Sequence, residues 1–267
     1  MNVVVLVGSP RKRDSLNICK EIESRLGNTN ITYDYIFLND YEIKDCRGCE
    51  LCFKKSEKFC PCRDDISLIR KKIMLADGII FATPVYAYQV PAPLKRVIDR
   101  MAFLFHRQEL VGVPAIIVVT SDGGGHKQVS KYMKMTVTGW GCNLLGTISV
   151  ISPMYFENKK DSVWGYNERY HNKINLHIEK LVHKFKEVVE SEVPRIPSFY
   201  EIFMFNCLRS KTFTSQADHD YWKEKGWLDS DYFYNVPLNP FKKIFGTILK
   251  RLINLASKKL KNRICES

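Results

Sequence analysis

The first residues with the makings of a binding site form a loop directly behind a buried strand. Residues 3–7 are a continuous apolar run rich in β-branched side chains, followed by Gly-Ser-Pro-Arg at residues 8–11 and a helix from about residue 15. Backbone N–H groups at a helix N-terminus, together with the helix dipole, favour an anion there. Four nearby side chains can add donors or positive charge: Ser9, Arg11, Ser15 and Asn17. We therefore predict a phosphate site, with a plain helix cap by Asp14 or Ser15 as the alternative.

The same loop limits which phosphate fits. It lacks the GxxxxGK[ST] pattern of nucleoside-triphosphate sites and the GxGxxG pattern of dinucleotide folds. A monophosphate is therefore the predicted ligand.

A second chemical group is the run of five cysteines between residues 46 and 62. Cys46, Cys49 and Cys52 have the spacing C-x2-C-x2-C, and Cys60-Pro61-Cys62 follows. Three thiolates at this spacing can surround one face of a cubane cluster, and a fourth cysteine before proline is typical of ferredoxin runs, although the gap here is longer. An iron-sulfur cluster, redox-active thiols and a four-thiolate zinc site are the alternatives.

Strands and helices alternate along the first 190 residues. Strands are predicted over residues 3–7, 31–38, 78–82, 114–120 and 143–151, and helices over residues 15–26, 65–76, 91–104, 128–140 and 167–189. This alternation predicts an α/β fold, a doubly wound parallel sheet with helices on both faces. Ligands of such sheets bind beyond the carboxyl ends of the strands, where the strand order reverses. Three loops fall at that edge: residues 8–17, 83–91 and 121–126.

Two motifs, in this order, resemble the NAD(P)H-dependent FMN reductase family of the flavodoxin-like fold. They are Gly8-Ser9-Pro10-Arg11 with Ser15 and Asn17, and Thr83-Pro84-Val85-Tyr86 followed by Pro93-Leu94-Lys95-Arg96-Val97-Ile98-Asp99-Arg100. The resemblance covers about residues 1–190. It implies a flavodoxin-like five-stranded parallel sheet, FMN as cofactor, and an FMN-dependent NAD(P)H oxidoreductase activity.

The resemblance also implies roles for particular residues. The FMN phosphate would be held by Ser9, Arg11, Ser15, Leu16 and Asn17. The isoalloxazine ring would be lined by Pro84, Val85, Tyr86 and Tyr88, and a third wall would consist of Ser121, Gly123, Gly124 and Gly125. No side chain is implied as a catalytic residue, because the cofactor carries the redox chemistry.

The cysteine spacing C-x2-C-x2-C-x7-C resembles the iron-sulfur flavoproteins, a branch of the same family. This resemblance implies a [4Fe-4S] cluster held by Cys46, Cys49, Cys52 and Cys60, with Cys62 as an alternative fourth ligand. Such a protein would pass electrons between a two-electron and a one-electron partner, the partner being NAD(P)H or an electron-carrier protein. Two other functions stay open: an NAD(P)H-dependent FMN oxidoreductase of quinones, nitro compounds or flavin without a cluster, and a flavin-binding sensor or adaptor with a docking tail.

The alternation of strands and helices stops near residue 194, where we place a domain boundary. Residues 1–194 would form the FMN-binding domain with the cysteine loop 46–62, and residues 195–267 a mostly helical appendage. The chain carries a net charge of +12, with an excess of six cations in each of these segments, so the shorter one is the more basic. Residues 241–263 join an apolar stripe to eight cations without an acid, which predicts an amphipathic helix that docks on the protein, on a second subunit or on a membrane surface. Nucleic acid is not an expected partner, since no binding motif is present.

The sequence also supports expectations about the cellular compartment and the oligomeric state. The N-terminal sequence shows neither a secretion signal nor a spanning segment, and clustered cysteines suit a reducing compartment, so we expect a cytoplasmic protein. The family resemblance implies a homo-oligomer.

Overall fold

The structure is a computed structural model that describes residues 1–27, 30–158, 164–191 and 193–265, without the side chains of residues 258–265. The chain divides into two compact units. The first comprises Met1–Cys46, Cys62–Ala102 and Gln108–Glu192, and the second comprises Arg47–Pro61, Phe103–Arg107 and Val193–Ser267. The second unit thus includes most of the cysteine loop as well as the appendage, and the domain boundary at residue 194 stays a prediction.

The sheet of the first unit has five parallel strands. They are β1 (Asn2–Val7), β2 (Thr32–Phe37), β3 (Gly78–Pro84), β4 (Pro114–Ser121) and β5 (Asn143–Ile151). Their spatial order is β2-β1-β3-β4-β5, with every neighbouring pair parallel. This is the flavodoxin-like doubly wound order, which confirms the predicted fold class. The order reverses between β1 and β3, so the ligand position expected for this fold lies beyond their carboxyl ends.

Helices follow the strands at the predicted places and continue into the second unit. In chain order they are α1 (Asp14–Leu26), α2 (Leu51–Lys54), α3 (Ile66–Met74), α4 (Ala92–Arg100), α5 (His126–Gly139), α6 (Ser152–Tyr155), α7 (Glu168–Glu190), α8 (Phe199–Arg209), α9 (Gln216–Glu224) and α10 (Pro240–Cys265). Short 3-10 turns cover Leu38–Asp40, Glu57–Phe59, Ala102–Phe105 and Ser210–Phe213. No helix in the described part of the chain is long and apolar enough to cross a membrane.

The core of the first unit follows from the apolar runs of its central strands. All eight residues of β4 are buried, so both faces of the sheet must be covered. Helices α1 and α7 cover one face, where Ile18 and Phe185 have no solvent exposure. On the other face, which α5 covers, the ring of Phe81 meets that of Trp140 at 6.1 Å. Each fully buried side chain of this kind contributes roughly 1.5–3 kcal/mol, and the packing fixes the strand ends that carry the site loops.

The second unit has a core of its own, built from aromatic side chains of the appendage. Phe205, Trp222 and Phe233 are buried, and the Phe205 and Phe233 rings pack edge to face at 4.6 Å. Trp227 joins the cluster at 4.7 Å from Phe233 and donates its indole N–H to the Phe233 carbonyl at 2.8 Å. These four aromatic side chains therefore form the interior of the second unit.

Candidate active site at the strand edge

The loop from β1 to α1 is folded back on itself at the predicted phosphate site. The Ser9 hydroxyl donates to the Arg11 carbonyl at 2.6 Å and accepts from the Arg11 N–H at 3.1 Å. Helix α1 begins at Asp14 without a side-chain cap from any described residue. Backbone N–H groups in the first turn of a helix have no intrahelical acceptor, so this helix start suits a ligand or water.

A buried hydroxyl pair joins this loop to the end of β4. Ser15 and Thr120, 105 residues apart in the chain, share a hydrogen bond of 2.7 Å between their hydroxyl oxygens. Both residues are almost fully buried. The pair fixes the start of α1 against the central strand of the sheet.

The loop after β3 forms a tight hairpin turn. Tyr86 and Gln89 exchange two backbone hydrogen bonds of 2.8 and 2.9 Å. The two residues between them, Ala87 and Tyr88, have φ values of 46° and 62°, a left-handed conformation in which non-glycine residues are strained. The turn leaves the Tyr88 ring exposed and places the Tyr86 hydroxyl 3.3 Å from Nε of Arg11.

The loop after β4 closes the site from a third side. Gly125 has a φ of +78°, and a Cβ at this position would lie 2.7 Å from Cγ1 of Val85, so glycine is required. A Cβ at Gly124 would lie 3.2 Å from the Tyr88 hydroxyl. The two loops are therefore in direct contact, as a shared binding edge requires.

The three loops enclose a cavity of about 150 Å³. Seven of the predicted site residues line it, all within the first unit. The lining residues are Ser9, Arg11, Arg13, Asp14, Ser15, Pro84, Val85, Tyr86, Thr120, Ser121, Asp122 and Ser152. Two arginines and two aspartates line the cavity, so its formal charge is close to zero. Binding of an anion would therefore depend on the start of α1 and on Arg11.

Some predicted residues lie beside this cavity rather than on its wall. Leu16 and Asn17 are in the first turn of α1, half-buried and exposed respectively, and are not lining residues. Tyr88 and the glycines at 123–125 form the contacting rim. The roles implied for these residues stay predictions.

Two buried polar atoms at this edge have no hydrogen-bond partner among the described residues. They are Oγ of Ser121 and Nδ1 of His126. Ser121 ends β4 and lines the cavity, while His126 begins α5. Buried polar atoms are rarely left unpaired, so both point to a ligand or water that is part of the functional molecule.

Sequence reasoning missed several residues of the site. Thr120 and Ser152 line the cavity, and the indole nitrogen of Trp164 would lie 3.0 Å from a Cβ added at Gly123. Thr120 was visible as a polar residue at the end of an apolar run, and Trp164 as a large aromatic in a polar loop. Neither signal says which strand end the side chain meets.

In the described part of the chain, the predicted metal-binding cysteines do not converge on a common site. Cys46 and Cys49 are exposed, whereas Cys52, Cys60 and Cys62 are half-buried. Gly48 and Glu50 adopt left-handed φ values of 63° and 58°, so the backbone turns sharply between the cysteines. Within the described ranges, however, no three His, Cys, Asp or Glu side chains are grouped as metal ligands.

Two buried arginines donate hydrogen bonds to backbone carbonyls in and next to the cysteine loop. In the first unit, Arg100 pairs with Asp64 and donates to the carbonyls of Lys44 and Cys62 at 3.1 and 3.3 Å. In the second unit, Arg107 donates to the Cys52 carbonyl at 2.7 Å and to the Asp218 carboxylate at 2.6 Å. The loop's backbone is thereby fixed at Lys44, Cys52 and Cys62.

The strand order and the cavity at the β1/β3 switch point define a flavodoxin-like α/β protein. Residues 1–157 match the family described as NADPH-dependent FMN reductase, and the chain belongs to that family. It is an FMN-dependent NAD(P)H oxidoreductase.

Curated relatives from archaea are described as iron-sulfur flavoproteins. An iron-sulfur flavoprotein of Archaeoglobus fulgidus is 27% identical over 236 residues, which are 85% of this chain and 100% of the relative. An iron-sulfur flavoprotein of Methanocaldococcus jannaschii is 35% identical over 128 residues, or 46% of this chain and 65% of the relative.

Solved structures show the same fold at low sequence identity. RosB with a bound 8-demethyl-8-formylriboflavin-5'-phosphate intermediate has a TM-score of 0.56 at 13% identity, covering 90% of this chain and 92% of that one. The apo form of an NADH:FMN oxidoreductase has a TM-score of 0.51 at 15% identity, covering 72% and 91%.

Proposed function

We propose that the cavity at the β1/β3 edge binds the phosphate and ribityl end of FMN, with the phosphate on the loop of residues 8–17. The observation that carries this is the uncapped start of α1 beside Arg11 and Ser9, at the switch point of the sheet. A helix N-terminus in this position suits a phosphate. Pockets that enclose a whole ligand are usually about 300–1,000 Å³. A cavity of about 150 Å³ fits only part of FMN and leaves the ring at the rim.

The residues present fit such a cofactor. The unpaired Ser121 hydroxyl lines the cavity and can bond a polar group of the bound cofactor. The Tyr86 hydroxyl accepts from Arg11, which holds the guanidinium near the helix start. Val85, Tyr86 and Tyr88 on one side and the glycine loop 123–125 on the other form the proposed ring edge.

Bound FMN supplies hydride acceptance and single-electron release. The protein binds and orients the flavin and leaves part of it open to a partner. The strained turn at residues 87–88 holds the Tyr88 ring in solvent, 64% exposed, at the mouth of the site. We propose that NAD(P)H approaches from this open side and stacks transiently, since no dinucleotide fingerprint occurs in the sequence.

We further propose that the chain is an iron-sulfur flavoprotein that exchanges electrons between a two-electron and a one-electron partner, such as an electron-carrier protein. The support is the C-x2-C-x2-C-x7-C spacing and the description of the archaeal relatives. Within the described ranges these cysteines are not grouped as metal ligands, so the support is the spacing and the relatives alone. A cytoplasmic homo-oligomer completes the proposal.

The test is anaerobic purification followed by cofactor analysis. We expect one FMN per chain and loss of the flavin absorption on adding NADPH, and about four irons per chain by the cubane stoichiometry. Cys49→Ser should lose iron and keep FMN, whereas the matched control Cys207→Ser, in the appendage, should keep both. Flavin without iron would refute the cluster and leave the reductase; absence of flavin uptake would refute the site itself.

A further inference from the structure

We propose that α10 carries a docking surface for an anionic phospholipid bilayer. The surface is the outward stripe, defined as Phe241, Ile244, Ile248, Leu252 and Leu255. Successive members are three or four residues apart, which places them on one side of a helix.

The outward stripe is not used by the fold. Its five side chains are 51–76% exposed. The inward side of α10 is already packed on α8, where the Phe245 ring meets Phe199 at 5.4 Å. A Cβ added at Gly246 would lie 3.3 Å from Ile202. Helix α10 is thus held in place by one apolar side while it presents a second one to solvent, an arrangement that marks an interaction surface.

Aromatic residues of α8 extend the exposed apolar character of this unit. Phe199, Tyr200 and Phe203 are each more than 40% exposed. Among aromatic residues, tyrosine and tryptophan are enriched where a protein meets the lipid headgroup region, and Tyr200 is of this kind. These three side chains add to the exposed apolar surface of the second unit.

The charges of α10 decide between a lipid surface and a second copy of the chain. Lys243 and Arg251 are exposed on α10, and the sequence of residues 241–263 has eight cations and no acid. Pairing two α10 helices through their stripes would bring these cations together without compensation. An anionic bilayer instead attracts them while it buries the apolar stripe. A polyanion such as nucleic acid would leave the stripe in water.

The experiment is sedimentation of the full-length flavoprotein with lipid vesicles. Vesicles of phosphatidylcholine alone are compared with vesicles of roughly three parts phosphatidylcholine to one part phosphatidylglycerol, at low and high salt. We expect binding only to the anionic vesicles, weakened by salt. Ile248→Gln should bind about tenfold more weakly, because one buried isoleucine corresponds to roughly that change in partitioning. The adjacent exposed Thr247→Gln is the matched control and should bind like the wild type.

Flavin content and circular dichroism show that both variants are folded, and size-exclusion chromatography with light scattering reports their assembly. Equal vesicle binding by Ile248→Gln and Thr247→Gln would refute a role for the stripe. Absence of wild-type binding to anionic vesicles would refute the proposal as a whole. An oligomer that Ile248→Gln alone dissociates, without vesicle binding, would assign the stripe to a second copy instead.

Discussion

The Ser15–Thr120 hydroxyl pair is a single contact on which both stability and cofactor binding depend. Ser15→Ala would leave the buried Thr120 hydroxyl without its partner at 2.7 Å. An unpaired buried hydroxyl costs about 1–3 kcal/mol. We expect the free energy of unfolding in urea to fall by that amount and FMN affinity to fall with it, because the start of α1 is no longer fixed.

A matched control is available in the same helix. Ser24 is exposed in α1, so Ser24→Ala should change stability by less than about 0.5 kcal/mol and leave FMN affinity unchanged. If both variants unfold at the same urea concentration, the buried pair is not a significant contact.

The cysteines differ in reactivity according to their burial. Burial raises the pKa of the Cys19 and Cys142 thiols far above the usual value, so they stay protonated and unreactive near neutral pH. Cys46 and Cys49 are exposed. Brief iodoacetamide treatment of metal-free protein, read by mass spectrometry, should modify Cys46 and Cys49 before Cys19 and Cys142. Modification of Cys19 or Cys142 before unfolding would contradict the described core.

At the scale of single residues, the sequence predicts those parts of the site that depend on local chemistry. Ser9, Arg11 and Ser15 belong to one strand-to-helix loop, and the structure places all three at the cavity. Thr120 and Ser152 could not be predicted in the same way, because their position depends on which strand ends are neighbours. Arg107 gave no signal, since its partner Asp218 is 111 residues away.

At the scale of secondary-structure elements, the turn of residues 86–89 has a strained backbone. A substitution in the turn can measure how much this strain lowers stability. Ala87 has a φ of 46°, where a side chain costs roughly 1 kcal/mol. Ala87→Gly should therefore raise the free energy of unfolding by about 0.5 kcal/mol after the larger entropy of the unfolded glycine is counted. Ala92→Gly, at the first residue of α4, should lower it instead. A destabilised Ala87→Gly would show that the turn is unstrained.

The network of Arg107 connects α9 with the cysteine loop inside the second unit. Asp218 is fully buried and accepts from Arg107, and Ser215 donates to the Phe53 carbonyl at 2.7 Å. Asp218→Asn would leave a buried guanidinium short of one counter-charge, at a cost of about 3 kcal/mol. We expect earlier urea unfolding and faster amide exchange over residues 51–54. The exposed Asp220→Asn should change neither quantity, and equal effects of the two would exclude the network as a clamp.

Most helices and strands could be predicted from apolar periodicity, but the residues at which they end could be predicted less accurately. The five strands lie within about two residues of their predicted bounds, because continuous apolar runs leave little choice. The helix predicted over residues 91–104 ends at Arg100 and continues as a 3-10 turn over Ala102–Phe105. No Gly or Pro occurs between residues 94 and 105, so tertiary contacts must set the end. The assignment of residues 47–61 and 103–107 to the second unit likewise rests on long-range packing.

For the whole molecule, the strand order explains why one local motif identifies a site made of three distant loops. Right-handed crossovers bring the ends of β1, β3 and β4 to one edge, so a phosphate loop after β1 already locates the rest. The central claim is that this edge recognises FMN through its phosphate.

The most direct measurement is the affinity of the apoprotein for FMN and for riboflavin, which lacks the phosphate, in wild type and in Arg11→Ala. A charge-assisted contact to a phosphate contributes about 1.5–3 kcal/mol. We therefore predict that wild type prefers FMN over riboflavin by at least about a hundredfold and that Arg11→Ala reduces this preference by about tenfold or more while riboflavin affinity stays the same. Equal affinity of wild type for the two flavins, or an unchanged preference in Arg11→Ala, would contradict a phosphate site on the loop of residues 8–17.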